Sequence, residues 1–449
     1  MFSKVLIADR GEVAVRVIRA CRELGVRTVA VYSEADRASL HVRLADEAVC
    51  VGPAPSARSY LNIPNIVSAA LITGADAIHP GIGFLAERHI FAEICAGYDV
   101  AFIGPPASVM RRLENKAQAR QAMREAGLPV LPGSPDAARN LDDARDVAHT
   151  LGYPVMLKAV AGGGGRGIRL LRSDQDLVAA YGAAQAEAAS SFGNPGVYLE
   201  KYVEEARHIE VQVLGDRDGQ VVHVGERDCS LQRRNQKMVE EAPASDLPAD
   251  VQRQIRQAAV DGARRVGYSG AGTWEFLVDR QGRFYFLEVN ARLQVEHPVS
   301  EAISGLDLVR GQLRIAAGER LPWRQEEIEF RGHAIECRVT AEDPWRGFAP
   351  QPGHVRHYLP PGGPGVRVDS HLFSGYAAPA HYDSLLAKII AWGQDREAAR
   401  VRMKRALAEC MIEGVVTTLP FHQRLLDDPA FVRREFSTTF IEQWLPRAA

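Results

Sequence analysis

The sequence has no Cys-x-x-Cys pair, no apolar run long enough to cross a membrane, no Gly-Lys-Ser/Thr phosphate loop and almost no net charge. Each absence excludes something. Its six cysteines (Cys21, Cys50, Cys95, Cys229, Cys337 and Cys410) are scattered over 449 residues. A disulfide framework or a zinc site is therefore not expected, and a reducing compartment fits better. Without about 20 consecutive apolar residues there is no spanning helix to expect. The first residues reach Asp9 too early for a secretion signal. A formal net charge of −2 leaves no bulk basic field to draw the chain to nucleic acid or anionic lipid. Internal repeats and low-complexity tracts are missing as well. These exclusions leave a cytoplasmic enzyme as the default expectation.

What is present is ordinary in bulk, with 46% hydrophobic and 24% charged residues. The length suggests two to four domains at about 150 residues each. The opening reads as βαβ: an apolar run at 5–8, helical spacing over 11–24, a second strand at 28–32 and a later one at 101–104. That pattern predicts an open, mostly parallel, Rossmann-like sheet. The first βα turn carries one glycine, Gly11, so the dinucleotide fingerprint is absent. A helix is predicted from about 110 to 126, stopped by Gly127 and Pro129. From 207 to 290 the pattern turns to long strands, with His208, Glu210 and Gln212 on one face. A new block begins after 330, with a strand near 333–339 and a helix near 396–408.

Residues 161–167 contain Gly-x-Gly-x-x-Gly at Gly162, Gly164 and Gly167. The run lies between two predicted strands rather than before a helix, so neither a Rossmann nor a Walker loop is expected. A glycine hairpin closing over phosphates fits the context, with a mobile surface turn as the alternative. Lys158 precedes it inside an apolar strand, where a phosphate would supply the partner a buried lysine needs. Lys116 reads by itself as a solvated helical lysine, and His208 as a strand histidine with a satisfied ring. Residues 200–203 (Glu200, Lys201, Tyr202, Val203) form a possible hinge facing an adenine edge.

The strongest local signal is a hairpin between residues 272–279 and 284–290. A two-residue Gln281-Gly282 loop would pair Trp274 with Val289, Phe276 with Leu287 and Leu277 with Phe286. It would also set Glu275 directly against Glu288, with Asn290 on the same face. Opposed like charges destabilise a sheet, whereas Mg²⁺ seeks such oxygen clusters, completed by substrate phosphates. The alternative is two glutamates pointing separately to water. Arg292 and Glu296 follow at once. A guanidinium suits a small planar anion and a neighbouring carboxylate can take its proton, although a structural ion pair would look the same. The polar stretch 226–237 ends in Lys237, facing anions or solvent.

Taken together, residues 7–12, 79–84, 158–167, 226–230, 288–298 and 336–338 resemble biotin carboxylase, the ATP-grasp subunit of biotin-dependent acyl-CoA carboxylases, over essentially the whole chain. The resemblance implies a Rossmann-like N-terminal domain at 1–114, an ATP-grasp domain at 115–330 with a glycine-rich lid at about 130–203, and a C-terminal domain at 331–449. It implies that Lys116, Lys158, Gly164, Gly165 and His208 contact ATP phosphates and that Glu200, Lys201, Tyr202 and Val203 line the adenine pocket. Glu275, Glu288 and Asn290 would hold two Mg²⁺ or Mn²⁺ ions. Lys237, Arg292, Gln294 and Val295 would bind bicarbonate, Glu296 would be its base, and Arg338 would stabilise the biotin enolate. The implied reaction makes carboxyphosphate from ATP and bicarbonate, then carboxylates biotin, the first half-reaction of an acetyl-/acyl-CoA carboxylase.

Two positions depart from the family pattern. Ile82 stands where a tyrosine near biotin is common, and Asn235 where many members have a histidine near the nucleotide. The attachment sequence Ala-Met-Lys-Met is absent, and Lys404 lies in a predicted helix. A biotin carboxyl carrier protein and a carboxyltransferase are therefore expected as separate polypeptides, and a homodimer is expected from the family. The alternatives are a related ATP-grasp ligase that activates bicarbonate for a different amine or amide, motivated by Ile82, and a nucleotide-binding regulatory protein without turnover.

Overall fold

A computed structural model describes residues 1–134, 136–160 and 168–448. The N-terminal strands β1 (Lys4–Ile7), β2 (Arg27–Ser33), β3 (Glu47–Gly52), β4 (Ala77–His79) and β5 (Ala101–Phe102) form a parallel sheet of order β3-β2-β1-β4-β5. This is the expected doubly wound arrangement. Val5, Leu6 and Ile7 are fully buried because helices cover both faces. The helix Gly11–Glu23 packs its buried face (Val13, Val17, Ile18, Cys21) into the same core.

The predicted single helix at 110–126 is instead two, Ala107–Glu114 and Lys116–Glu125. Asn115 breaks it: its backbone is extended and its side chain accepts the Gln118 N–H at 3.0 Å, capping the second helix. Lys116 consequently sits at a helix start, not mid-helix.

A small antiparallel sheet follows, built from β6 (Val155–Ala159), β7 (Ile168–Leu171) and β8 (Val197–Lys201) in the order β7-β6-β8. β6 and β7 pair Lys158 with Ile168, so the glycine run joins two antiparallel strands, as its context predicted. Gly162, Gly164, Gly165 and Gly167 themselves lie outside the described residues.

Most of the remaining strands form one eight-stranded antiparallel sheet, accompanied by three two-stranded ones. Its strands are β9 (Arg207–Gly215), β10 (Val221–Arg233), β11 (Gln236–Ala242), β12 (Gly270–Val278), β13 (Phe284–Asn290), β14 (His333–Thr340), and the strands Val366–Ser370 and Leu385–Gly393. Their order is β13-β12-β9-β10-β11-β14, then Leu385–Gly393 and Val366–Ser370. β11 pairs with β14, so the sheet runs unbroken from the central residues into the C-terminal ones. The helix Ala249–Val266 covers the central half through Ile255, Ala259 and Ala263, and the helix Arg396–Glu409 covers the other through Ala399, Met403 and Leu407. All six cysteines are free. Among the described residues, no helix is long and apolar enough to cross a membrane.

Buried histidines give the fold a predictable acid response. Burial lowers His41, His79 and His422 from 6.5 to about 4 and His371 to about 3. Below pH 6.5 the unfolded chain therefore binds protons that the folded chain refuses. Stability is complete above that value and falls as pH drops towards 4, by about 1.4 kcal/mol per pH unit for each histidine. Urea midpoints measured across this window should fall steadily, and His422→Gln should flatten the slope.

Candidate functional site

The site is assembled on one face of the central sheet. Alternation along β9 puts His208, Glu210 and Gln212 on that face. β12 pairs with β9 so that Glu275 lies opposite Glu210, and β13 sets Glu288 opposite Glu275. On the other side, β10 places Arg227 opposite Glu210. Three glutamates thus stand in a row across three neighbouring strands, and a fully buried arginine closes one end.

The expected hairpin exists with two local differences. The loop is three residues, 280–282, closed by the Asp279 N–H donating to the Arg283 carbonyl at 2.9 Å, with Gly282 at φ +77°. A bulge at Leu287 then restores the register. Phe276 therefore faces Phe286 rather than Leu287, and Leu277 faces Tyr285 rather than Phe286. Trp274–Val289 and Glu275–Glu288 pair as predicted.

Charge compensation along the row is graded. Glu210 receives Arg227 Nε at 2.5 Å and Lys237 Nζ at 2.5 Å. Glu275 receives Lys237 Nζ at 2.9 Å, Asn290 Nδ2 at 2.7 Å and Gln294 Nε2 at 3.2 Å, and pairs with His208 Nε2 at 2.9 Å. Burial alone would raise its carboxyl, but Lys237 and His208 hold it well below the ordinary carboxylate range. Glu288 is different. Among the described residues its ion-pair partner is Lys116 at 3.9 Å, and its side chain is 43% exposed. Burial and the facing Glu275 push its carboxyl above the ordinary value.

Lys237 also donates to Glu296 Oε1 at 2.7 Å, so one ammonium joins the glutamate row to the predicted base. Glu296 is fully buried; burial alone would raise its carboxyl, but Lys237, Arg338 and Arg227 hold it well below the ordinary range. Arg338 reaches Glu296 Oε2 at 2.9 Å through Nη2 and Glu240 Oε1 at 2.6 Å through Nε. Arg292 donates Nη2 to Asn290 Oδ1 at 3.0 Å and Nη1 to the Leu293 carbonyl at 3.2 Å, and pairs through Nε with Glu87 at 3.1 Å. Glu87 also accepts the Ala291 N–H at 3.0 Å, tying residues 79–88 to the end of β13. Asp9 fixes the start of that segment by accepting the N–H groups of Ile82 at 2.8 Å and Gly83 at 3.0 Å. Gly81, at φ +74°, could not carry a side chain, because a Cβ there would fall 2.0 Å from Asp9 Oδ2.

The structure therefore brings together Lys116, His208, Lys237, Glu275, Glu288, Asn290, Arg292, Gln294, Glu296 and Arg338. Lys158 has a built-in partner: it contacts the Glu200 carboxylate, which Arg120 also holds at 2.7 Å. The lysine expected to be buried and waiting for a phosphate is partly buried and is neutralised by the chain itself, and the Glu200 side chain is occupied. Lys201, Tyr202 and Val203 line a cavity of about 630 Å³ with Glu204, Pro132 and Tyr285; neither Glu275 nor His208 lines it. Asn235 is exposed at the β10–β11 turn, where it and Arg234 both have positive φ. That turn favours asparagine for its backbone, and among the described residues no hydrogen bond joins Asn235 to the glutamate row. Ile82 packs its side chain against the apolar core that includes Leu293 and Ile7.

Sequence reasoning missed Glu210, Arg227, Glu240 and Glu87. Only the strand alternation at 208–212 hinted at the first, since the other three reach the site from separate segments.

The same organisation is found in known proteins. Residues 1–110 match the family described as biotin carboxylase, N-terminal domain; residues 115–324 the carbamoyl-phosphate synthase L chain, ATP binding domain; and residues 336–443 the biotin carboxylase C-terminal domain. The biotin carboxylase of Nostoc sp. is 55% identical over 98% of this chain and 99% of its own. The chain belongs to the biotin carboxylase family. Among solved structures, a biotin carboxylase complex with β,γ-ATP from Campylobacter jejuni superposes with a TM-score of 0.97 at 47% identity, covering 99% of each chain. The biotin carboxylase domain dimer of Hydrogenobacter thermophilus 2-oxoglutarate carboxylase, in complex with MgADP, ADP and bicarbonate, has a TM-score of 0.96 at 48% identity. It covers 100% of this chain and 98% of that one. Family membership accounts for the doubly wound N-terminal sheet and for the ATP-grasp core that carries the glutamate row.

Proposed function

We propose that this protein carboxylates biotin with ATP and bicarbonate, the biotin being presented by a carrier protein, as the first half-reaction of an acyl-CoA carboxylase. The observation that carries the reading is Lys237, whose single ammonium bonds Glu275 and Glu296 at once. Such a bond sets a cation- and phosphate-handling cluster beside a base for a small anion. Bicarbonate attacks the γ-phosphate of ATP and displaces ADP, its proton passing to Glu296; the carboxyphosphate formed breaks into CO₂ and phosphate, the phosphate takes the proton of a biotin ureido nitrogen, and that nitrogen bonds the CO₂. Arg292, Lys237, Gln294 and the Val295 backbone hold the bicarbonate, and Arg338 stabilises the biotin enolate. Lys116, Lys158, His208 and the glycines Gly164 and Gly165 hold phosphates, and residues 200–203 border the adenine.

The donor set fits divalent metal. Glu288 is the undercompensated end of a carboxylate row, open to the cleft and faced by a second carboxylate. Glu275, Glu288 and Asn290 would hold Mg²⁺ or Mn²⁺, with Asn290 turning its amide oxygen away from Arg292. Bound metal would supply charge neutralisation for the phosphates. The chain's residues supply the rest: Lys237 and Arg338 keep Glu296 ionised, and the buried walls exclude water from carboxyphosphate.

Domain boundaries at 114/115 and 330/331 belong to the same proposal. So does a homodimer, supported by the dimeric form of the Hydrogenobacter domain. The deciding experiment is ATP cleavage measured with bicarbonate, with and without biotin or biotinylated carrier. Cleavage that needs bicarbonate and rises with biotin is expected. Bicarbonate-dependent cleavage indifferent to biotin would instead favour a different amine or amide acceptor, the reading that Ile82 invites.

A further inference from the structure

Lys388 has no role in the chemistry above, yet it is fully buried beside it. It lies on the strand Leu385–Gly393, whose pairing sets it opposite Arg338 on one side and Asp369 on the other. Its ammonium donates to the Val295 carbonyl at 2.7 Å. It also pairs with Glu12 at 3.1 Å and with Asp369 at 4.0 Å. Glu12 comes from the N-terminal helix Gly11–Glu23, Val295 from the anion-binding loop and Lys388 from the C-terminal part of the sheet. Three separate stretches of chain therefore meet on one nitrogen.

Burying an ammonium costs several kcal/mol, and a packed apolar residue would join these segments at lower cost. Something besides packing is therefore required of the charge. Among the described residues neither Glu12 carboxylate oxygen has a hydrogen-bond partner, so Lys388 is its ion-pair partner, while Asp369 is already held by Arg367. Burial alone would lower the Lys388 pKa, but Glu12, Glu336 and Asp369 keep it above the ordinary value, so the group stays cationic. Among the described residues the neutral acceptor it grips is the carbonyl of the peptide linking Val295 to Glu296.

We infer that Lys388 is a positioning residue for bicarbonate activation: it fixes the Val295–Glu296 peptide and thereby the base. A peptide is planar, so clamping its carbonyl oxygen also fixes the plane from which the Glu296 side chain departs. Charge-assisted bonds to a carbonyl are among the stronger and more directional ones. A loop left free to shift by 1 Å would lose about 100-fold in rate.

The inference rests on the proposed carboxylase reading, and its test separates the two. Lys388→Arg keeps the charge among Glu12, Glu336 and Asp369, so the protein folds, but a planar fork cannot repeat the point contact with Val295. The expected result is a fall of about tenfold or more in kcat/KM for bicarbonate, with nucleotide affinity within about twofold of wild type. Lys388→Met, where it folds, should lose about 100-fold. Glu12→Gln keeps the Val295 contact, so it should lower the melting temperature and leave KM for bicarbonate unchanged. Wild-type kinetics in the arginine variant, or an equal bicarbonate defect in Glu12→Gln, would overturn the inference. A wild-type protein without bicarbonate-dependent ATP cleavage would overturn the carboxylase reading instead.

Discussion

Glu288→Gln is expected to lose about 10³-fold or more in ATP cleavage, the loss of several kcal/mol that a displaced metal would cost. Glu288 is the carboxylate that faces Glu275 with the least compensation from the chain. The free variant, by contrast, should be at least as stable as wild type. Removing one of two opposed charges relieves repulsion across the β12–β13 pair. The two effects point in opposite directions, and that is the value of the experiment. A melting temperature equal to or above wild type, combined with lost turnover and weakened Mg²⁺ dependence, supports the metal assignment. Unchanged turnover would refute it.

Glu296→Gln should lower bicarbonate-dependent ATP cleavage by about 10² to 10⁴-fold, the usual worth of a positioned base. ATP affinity should persist, because residues 201–203 and the lysines proposed to hold phosphates are untouched. Lys237, Arg338 and Arg227 hold the Glu296 carboxyl well below its ordinary value, so it is already ionised throughout the neutral range. The pH–rate profile of the wild type should therefore carry no acidic limb from this residue near neutrality. Titrating kcat/KM for bicarbonate against pH in both proteins checks this. An equally active glutamine variant would mean that the proton leaves by another route.

The hairpin shows how far local reading reaches. A two-residue loop without a bulge and a three-residue loop with a bulge at Leu287 both set Glu275 against Glu288, because the extra loop residue and the extra strand residue cancel. The carboxylate pair was therefore legible, while the partners of Phe276 and Leu277 were not. β13 also bridges Val130 through Phe286, a contact from outside the hairpin that its own sequence does not show. The split helix at Asn115 was readable in principle, since asparagine is a strong helix-start residue, but its neighbours continue the helical pattern on both sides. Lys158 illustrates a different limit. A phosphate was expected as the partner of Lys158, whereas the Glu200 carboxylate that the chain supplies depends on β6 and β8 lying side by side.

Glu210 and Arg227 mark the boundary between the two kinds of information. Nothing near either residue in the chain says that they meet, or that Glu275 lies beside them. The sequence by itself determined the parallel N-terminal sheet, the family, and the chemical types gathered at 288–296, because period-two and βα patterns, short-range turns and contiguous motifs are local properties. Only the tertiary structure decided that three glutamates form a row, that Lys237 joins this row to Glu296, and that Lys388 holds the Val295 carbonyl from behind. Those contacts link strands tens to hundreds of residues apart, and their partners follow from sheet order and register, which local side-chain pattern does not specify.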